Sequence, residues 1–309
     1  MRVMVMGAGA VGGYYGALMA QGGHDVTFVA RGAHLEAMLN KGIETRFGEE
    51  INLLKPVQAV ASPSEAGSDF DLVLFTVKGY DTQLAAAAVG PRLGPNTAVL
   101  TLQNGVESAD LLGAMLGAEH VLAGTTYIFA EIVEPGVIAI IPPMRRIAFG
   151  ELSGEVTPRV EAIAEAMRES GIDARVTPDP RLAIWQKYTG LAGFSTATSA
   201  CHVPIGAVVS NDDGLNLLKS LVSETIEVGR ASGVPLPADA VDRVMGQVMS
   251  LPPTGKSSMQ RDFEGGRRTE LEQITGVVVR LGRELGVPTP AFDTAYSILK
   301  VRAASFGAG

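Results

Sequence analysis

The sequence predicts an α/β fold followed by an all-helical region. Strand-like and helix-like stretches alternate over the first 177 residues, which is the pattern of a parallel sheet covered by helices. After Thr177-Pro178-Asp179-Pro180 no convincing strand pattern follows, and stretches with helical spacing are separated by Gly and Pro. A chain of 309 residues is long enough for two hydrophobic cores. We therefore expect one domain over residues 1–177 and an all-helical domain over residues 178–309.

The predicted strands are short apolar or β-branched runs bounded by turn residues. Residues 71–77 and 97–102 are almost continuously apolar, as expected for strands buried on both faces. The complete set of predicted strands is 2–6, 25–31, 71–77, 97–102, 121–129, 136–141, 147–150 and 174–177. Helices are expected at 14–21 and 158–170 in the first domain, and at 182–199, 214–232, 238–250, 267–285 and 291–304 in the second.

A glycine-rich turn follows the first strand directly and precedes the first helix. In such a turn the first glycine permits a tight bend, the second lets the backbone approach a pyrophosphate, and the third lets the helix pack on the strand. The N–H groups at the helix start, reinforced by the helix dipole, form an anion site. The sequence therefore predicts a Rossmann-type dinucleotide-binding domain whose cofactor contacts are Gly7, Ala8, Gly9, Ala10, Val11 and Gly12. The alternative, in a chain with 37 glycines, is an ordinary strand-to-helix turn.

The end of the second predicted strand indicates which dinucleotide binds. An NAD site usually places a carboxylate about 20 residues beyond the glycines, to hold the ribose hydroxyls. Here Ala30 and Arg31 stand at that point, and Asp25 comes too early, at the strand entrance. A guanidinium suits the 2′-phosphate of NADP because it can donate two parallel hydrogen bonds. We therefore expect Arg31 to contact NADPH; the alternative is a solvated arginine at a strand end.

Composition argues against several classes of partner and site. A formal charge of −8 and a pI near 5.1 argue against nucleic acid and anionic membranes. No stretch reaches the roughly 20 apolar residues of a membrane span, and the amino terminus lacks a signal-peptide pattern, so a soluble cytoplasmic protein is expected. Cys201 has no companion at metal-ligand spacing, so we predict no metal site and expect a small core residue there. The apolar second domain is compatible with a homodimer.

Lys187 stands in a predicted helix that is otherwise poor in charge. At helical spacing it shares a face with Ile184, Leu191 and Ser195, where an isolated ammonium is unexpected. If this face lines a crevice between the two domains, partial desolvation would lower the pKa of the lysine and prepare it as a proton donor. The alternative is a lysine whose stem lies along apolar surface and whose charge stays in water.

Four other polar residues have both a functional and an ordinary interpretation. Lys78 and Asn104 follow apolar strands, at the carboxyl ends where open α/β sheets bind ligands. Glu270 falls near the start of a predicted helix, where a carboxylate also interacts favourably with the helix dipole. Ser258 belongs to a pair of serines that suits a helix cap.

Taken together, these segments resemble the ketopantoate reductase (2-dehydropantoate 2-reductase) family over nearly the whole chain. The matching stretches are GAGAVGG at the amino end, TVKGYDT around Lys78, LQNGVES around Asn104, GTT at 124–126, IWQKYTG around Lys187, SSMQRDFEGGRRTELEQITG through Ser258 and Glu270, and GVPTP at 286–290. The order of these stretches along the chain is far more specific than any one of them.

The resemblance implies NADPH-dependent reduction of a 2-oxo acid to a 2-hydroxy acid. Ketopantoate is the usual substrate in that family, in the pathway to pantothenate. The resemblance further implies that Lys187 is the general acid and that Glu270 positions the substrate and the lysine. The implied substrate contacts are Asn104, Ser258, Ser195 and Lys187, and the implied cofactor contacts beyond the glycine turn are Arg31, Lys78, Asn104 and Glu270.

The chain departs from the family pattern after the lysine. Ketopantoate reductases commonly carry asparagines at positions that fall, by register, on Leu191, Ser195 and Ile205. Replacing amides by aliphatic side chains removes hydrogen-bonding partners for a polar substrate. The first alternative is therefore a family member that reduces a more apolar 2-oxo acid. The second is a non-catalytic NADP-binding sensor, against which the presence of both Lys187 and Glu270 argues.

Overall fold

A ten-stranded sheet organises the first part of the chain. The computed structural model describes residues 1–307 and divides into two units, Met1–Ala183 and Ile184–Gly309. All strands lie in the first unit, and the described residues of the second form helices and their connections. The predicted fold class, a Rossmann-type α/β region followed by an all-α region, is confirmed. The predicted boundary after residue 177 lies just before the helix within which the two units divide.

Most strand pairs of the sheet are parallel, and several strands are almost completely buried. The strands are β1 (Arg2–Met6), β2 (Asp25–Val29), β3 (Ile43–Phe47), β4 (Glu50–Leu54), β5 (Gln58–Val60), β6 (Leu72–Phe75), β7 (Ala98–Thr101), β8 (Val121–Glu134), β9 (Val137–Glu151) and β10 (Asp173–Val176). They lie in the order β4-β3-β9-β8-β7-β6-β1-β2-β5, and β10 pairs with β9. β1, β6 and β7 are apolar on both faces, so they suit the middle of a sheet covered by helices. Because β1, β2, β6 and β7 are parallel, their carboxyl ends meet at one end of the sheet.

The predicted strands at 121–129, 136–141 and 147–150 belong to a single long hairpin. β8 and β9 pair in antiparallel fashion around the turn at Gly136, whose φ is +86°. Register shifts between Ile128 and Phe129, and between Ile132 and Glu134, are β-bulges that let the pairing continue. The predicted strands were too short because charged residues interrupt the apolar runs, Glu131 in β8 and Arg145 and Arg146 in β9, while the cross-strand pairing does not depend on apolar side chains.

Three strands have no counterpart in the sequence prediction. β3 and β4 form a hairpin closed by a two-residue turn, and β5 pairs with β2. Glu44, Arg46 and Glu50 break up the apolar character of the hairpin, so no continuous apolar run marks it. The signal that remains in the sequence is the alternation of apolar and polar residues with period two.

Twelve α-helices are found in the described residues. The first unit contains α1 (Ala10–Gln21), α2 (Gly32–Lys41), α3 (Thr82–Val89), α4 (Ser108–Leu116) and α5 (Pro158–Glu169), and α6 (Pro180–Cys201) continues into the second. The second unit adds α7 (Ile205–Val209), α8 (Asp212–Ala231), α9 (Ala240–Met249), α10 (Ser258–Glu264), α11 (Val277–Leu285) and α12 (Pro290–Ala304). None of the helices within residues 1–307 combines the length and the apolar character that a bilayer crossing requires.

Each unit has a core that contains aromatic side chains. In the first, Tyr15 on α1 is fully buried and its hydroxyl lies 2.6 Å from Oγ1 of Thr126 on β8. In the second, Trp185 and Tyr188 of α6 pack edge to face with ring centroids 5.6 Å apart. Cys201 is exposed at the last residue of α6, so the expectation that it is a core residue is wrong. It lies beyond the buried run of that helix.

Candidate active site

The three glycines of the turn after β1 have three different environments. Gly7 has a φ of +95°, and a Cβ there would lie 2.8 Å from the backbone nitrogen of Val77. A Cβ on Gly9 would meet no atom within 4 Å, so the space beside this residue is open. A Cβ on Gly12 would lie 2.6 Å from the Gly7 carbonyl oxygen, because α1 packs closely on the turn. A bend, an open approach and a close helix contact are the features that a dinucleotide-binding turn requires.

Hydrogen bonds hold this turn on the ends of neighbouring strands. The Ala8 N–H donates to the Val29 carbonyl oxygen over 2.8 Å, and the Thr76 hydroxyl donates to the Gly7 carbonyl oxygen, also over 2.8 Å. No side chain caps α1 at Gly9, and no acidic residue lies in its first turn. The start of α1 therefore offers N–H groups and a positive dipole end to an anion. These residues fit the pyrophosphate of a dinucleotide.

Arg31 lies where β2 passes into α2. It is exposed, and it occupies the N-cap position of α2 with an extended backbone. No ion pair to Arg31 is found among residues 1–307. Asp25, at the other end of β2, lies 3.6 Å from the guanidinium of Arg2. The end of β2 that faces the glycine turn therefore carries a cation and no carboxylate.

The loops after β6 and β7 are tied together by Gln103, which is not among the predicted site residues. The buried Gln103 donates from Nε2 to the Val77 carbonyl oxygen over 2.9 Å and to the Thr82 hydroxyl over 2.8 Å. Val77 and Gln103 immediately precede Lys78 and Asn104, both of which are half-buried. The two predicted ligand contacts therefore follow neighbouring strand ends in loops held together by Gln103. The signal available in the sequence was a glutamine directly after an apolar run.

In the second unit, Lys187 has a perturbed ionisation. It lies in the middle of α6 and is partly buried, and desolvation lowers the pKa of its ammonium to about 8. The carboxylate of Glu270 acts in the opposite direction, since a negative charge favours the protonated lysine. Glu270 is itself 4% exposed. The second unit thus brings together a buried carboxylate and a lysine that can release its proton near neutral pH.

Glu270 directly precedes a helix with unusual geometry. The predicted helix at 267–285 begins only at Leu271, and Glu272–Gly276 form a π-helical turn before α11. The Ile274 carbonyl oxygen in this turn accepts a hydrogen bond of 2.7 Å from the hydroxyl of Tyr188, the residue after Lys187. The hydroxyls of Thr196 on α6 and Thr275 lie 2.8 Å apart. π-helical turns often occur at functional sites, and this one is bonded to the helix that carries Lys187.

The positions at which the family resemblance places asparagines have three different environments. Leu191, one turn after Lys187, is partly exposed. Ser195, a further turn along, is completely buried, and its hydroxyl has no hydrogen-bond partner among the described residues. Ile205 is buried at the start of α7, and its N–H donates to the Gly255 carbonyl oxygen over 3.0 Å. A hydroxyl without a partner is suited to a polar ligand, whereas Ile205 belongs to the packing of the helices.

Ser258 is exposed at the first residue of α10. The capping role belongs to Ser257, whose hydroxyl oxygen accepts the Gln260 N–H over 3.0 Å. Ser258 therefore keeps its side chain available for another contact.

No group of three metal-ligating side chains is found within residues 1–307.

Two family models match the chain. "Ketopantoate reductase PanE/ApbA" matches residues 3–154, and "Ketopantoate reductase PanE/ApbA C terminal" matches residues 179–303. Among curated relatives, the 2-dehydropantoate 2-reductase of Halobacterium salinarum is 33% identical, covering 97% of this chain and 98% of its own length. That of Mesorhizobium japonicum is 32% identical and covers 97% of each chain.

Solved structures share the fold over nearly the full length. A PanE/ApbA family ketopantoate reductase from Ralstonia eutropha is 31% identical with a TM-score of 0.91, covering 99% of this chain and 100% of that one. A D-mandelate dehydrogenase in a ternary structure with NADH and anilino(oxo)acetate also has a TM-score of 0.91, covering 99% of this chain and 100% of that one. It is 21% identical to this chain, and at that identity the similarity shows only that the two proteins share a fold.

Proposed function

Because the chain belongs to the ketopantoate reductase family, we propose that it reduces 2-dehydropantoate to pantoate with NADPH as the hydride donor, in the pathway to pantothenate. The observation that carries this proposal is the pair formed by Lys187 and Glu270. Desolvation lowers the pKa of Lys187 to about 8 while a buried carboxylate favours its protonated form. Such a group is suited to donate a proton near neutral pH.

In this mechanism Lys187 protonates the carbonyl oxygen of the substrate. Bound NADPH supplies the hydride that reaches the ketone carbon. Negative charge then grows on the ketone oxygen, and the ammonium of Lys187 both stabilises this charge and delivers the proton that completes the alcohol. Positioned proton transfer of this kind is worth about 10² to 10⁴ in rate.

Glu270 has a supporting role. Its carboxylate favours the charged lysine, so that desolvation does not lower the pKa further. We also assign it the positioning of the lysine, the substrate and the cofactor, because it is buried at the start of the helix bonded to α6. Ser195 and Ser258 supply hydroxyls to the substrate, since the first has a buried hydroxyl without a partner and the second is exposed. Asn104 contacts the substrate and the cofactor.

The cofactor contacts lie in the first unit. The residues 7–12 receive the pyrophosphate, supported by the open space beside Gly9 and by the uncapped start of α1. Arg31 binds the 2′-phosphate, supported by its exposure and by the absence of a carboxylate at that end of β2. Lys78 serves the adenosine end. This assignment favours NADPH over NADH.

The test is the oxidation of NADPH in the presence of 2-dehydropantoate, comparing wild type with Lys187→Ala. We expect kcat to fall by about 10² or more in the variant, with little change in NADPH affinity measured by fluorescence. Lys219→Ala removes an exposed lysine of α8 and is the matched control, with turnover as in the wild type. Wild-type turnover in Lys187→Ala would refute the assignment. NADPH binding without any oxidation in the wild type would instead favour a sensor.

A more apolar 2-oxo acid is the second candidate substrate, and Leu191 is the observation that favours it. It lies one helical turn after Lys187 and is partly exposed, so it offers an aliphatic surface where the family commonly has an amide. The discriminating pair is 2-dehydropantoate and its analogue without the 4-hydroxyl group. A kcat/KM that is two orders of magnitude higher for the analogue would favour the second candidate. In that case Leu191→Asn should shift the preference back towards 2-dehydropantoate.

A further inference from the structure

β4 leaves an open edge at one side of the sheet. It is the terminal strand, paired only with β3. The Glu44 N–H of β3 donates over 2.8 Å to the Gly136 carbonyl oxygen, on the β9 side, so the backbone groups of the next residue, Thr45, point towards β4. Thr45 faces Asn52, which therefore directs its own backbone groups inwards. Ile51 and Leu53 must then direct their N–H and C=O groups outwards.

The hairpin turn gives the same assignment of inward and outward backbone groups along β4. β3 and β4 are joined by Gly48 and Glu49, with Gly48 at a φ of +61°, and Phe47 faces Glu50 across the turn. The pair that flanks a two-residue turn exchanges hydrogen bonds, so Glu50, Asn52 and Leu54 bond inwards. No other backbone within residues 1–307 bonds to the outer edge of β4.

The side chains on this edge are apolar and exposed. Ile51 is 64% exposed and Leu53 is 59% exposed, and both point to the same face of the sheet. Natural edge strands usually carry charges or prolines that prevent pairing with another chain. Here the two outward-bonding residues are instead aliphatic, and the charged residues, Glu49, Glu50 and Lys55, stand at the two ends of the strand.

We propose that β4 pairs with β4 of a second copy of this chain, antiparallel, about a two-fold axis at Asn52. In this register Ile51 faces Leu53 of the partner subunit, and the reciprocal pair forms by symmetry. Each facing pair exchanges N–H···O bonds in both directions, because Ile51 and Leu53 have outward backbone groups. An isologous two-fold contact of this kind closes on itself and joins the two sheets into one.

The charges at the strand ends favour this register over its neighbours. Glu49 faces Lys55 of the partner subunit, an opposite-charge pair. Lys55 donates from Nζ to the Asn40 carbonyl oxygen over 2.9 Å, which leaves further donors of the ammonium for the carboxylate. A shift of the axis to Ile51 would place Leu53 opposite Glu49, and a shift to Leu53 would place Ile51 opposite Lys55. Of these three registers, only the axis at Asn52 places Glu49 opposite Lys55 of the partner subunit and keeps both Ile51 and Leu53 opposite aliphatic side chains.

The contact is small, because β4 has 5 residues. A standard protein interface buries about 1,600 Å² in total, so we expect a dimer whose population depends on protein concentration. This expectation is independent of the proposed function.

The first experiment is disulfide cross-linking at the axis. Facing residues that do not exchange hydrogen bonds have Cα atoms about 4.5 Å apart, which is within the range that a disulfide spans. In a Cys201→Ser background, Asn52→Cys should therefore form a covalent dimer under mild oxidation, seen on a non-reducing gel. Glu50→Cys is the matched control, since Glu50 faces Leu54 of the partner subunit and lies too far from its own copy. Equal cross-linking of the two variants would overturn the proposal.

The second experiment measures the oligomeric state by sedimentation velocity over a range of protein concentrations. We expect a monomer–dimer equilibrium in the wild type. Ile51→Lys should abolish the dimer, because each copy then brings a lysine to the β4–β4 contact and the two positive charges repel each other. Leu84→Lys changes a residue of α3 that is 75% exposed, and it should dimerise as the wild type does. A wild type that stays monomeric at every concentration, or a dimer that Ile51→Lys does not weaken, would overturn the proposal. Thermal unfolding of both variants confirms that they are folded.

Discussion

At the scale of single residues, the proposed mechanism depends on the charge of Lys187. An ammonium has an ordinary pKa of 10.5, and desolvation lowers the pKa of Lys187 to about 8. A lysine that acts as general acid must be protonated, so it is competent below that pKa and loses its proton above it. The proposed mechanism therefore ties the alkaline limb of the pH profile to one side chain.

We expect kcat for reduction to fall as the pH rises through about 8. Glu270→Gln removes the negative charge that favours the ammonium, so the limb should move to lower pH and kcat at neutral pH should fall. The measurement is a pH profile of kcat for both proteins. Glu227→Gln changes an exposed residue of α8, serves as the control and should keep the wild-type profile. An alkaline limb at the same pH in Glu270→Gln would contradict the coupling.

A second residue-scale prediction concerns Arg31. Hydrogen bonds to charged groups contribute about 1.5–3 kcal/mol, so Arg31→Ala should weaken NADPH binding by about 10- to 100-fold and change NADH binding little. The dissociation constants are obtained by fluorescence titration. Arg175→Ala removes another exposed arginine of the first unit, one paired with Asp173 and not with the glycine turn. Equal losses of NADPH and NADH affinity in Arg31→Ala would count against a contact with the 2′-phosphate.

At the scale of elements, two glycines at the junction of β1 and α1 are expected to differ, Gly9 in cofactor binding and Gly12 in stability. Gly9→Ala places a methyl group in open space, so the midpoint of thermal unfolding should stay unchanged while NADPH binding weakens, because the methyl group occupies the approach to the pyrophosphate. Gly12→Ala places its methyl group 2.6 Å from the Gly7 carbonyl oxygen, so it should lower the unfolding midpoint. Calorimetry and NADPH titration of both variants test the pair. Wild-type NADPH affinity in Gly9→Ala would argue against a pyrophosphate at this turn.

The π-helical turn is the second element whose role can be tested. Tyr188→Phe removes the bond to the Ile274 carbonyl oxygen and should destabilise the fold by about 1 kcal/mol. Because this bond joins the helix of Lys187 to the helix after Glu270, we also expect a lower kcat and a shifted alkaline limb, with KM for NADPH unchanged.

The control for Tyr188→Phe is Tyr296→Phe, which removes an exposed bond of 2.8 Å to Glu272 in the same turn. It should leave the pH profile unchanged. If Tyr188→Phe loses stability but keeps the wild-type kcat and pH profile, Tyr188 has a structural role only.

At the scale of the whole molecule, local patterns predicted the fold class because buried parallel strands and amphipathic helices have clear signatures. They failed where pairing rather than apolarity defines a strand: the β3–β4 hairpin was not predicted, and β8 and β9 were divided into three strands. The predicted start of the helix after Glu270, at residue 267, was also wrong, because the helix begins at Leu271. The first helical turn predicted there is instead an irregular segment, followed by a π-helical turn.

The candidate site was predicted unevenly. The glycine turn is local, and the resemblance of ordered motifs extends over the whole chain, so residues 7–12, Arg31, Lys187 and Glu270 could be selected as candidates. Gln103 and Tyr188 were not selected, because each acts through a bond to a residue distant in the chain. The assigned roles of all these residues remain predictions for the experiments above.

The sequence alone determined that the chain is an α/β protein with a glycine-rich turn before its first helix, and that an isolated lysine lies on an apolar helix face. Only the tertiary structure decided that Glu270 acts on that lysine, that Tyr188 bonds to Ile274 across 86 positions, and that Ile51 and Leu53 lie on an open edge. The physical reason is that turns and helix faces follow from neighbouring residues, whereas a pKa, a bond between helices and a free strand edge depend on groups that folding alone brings together.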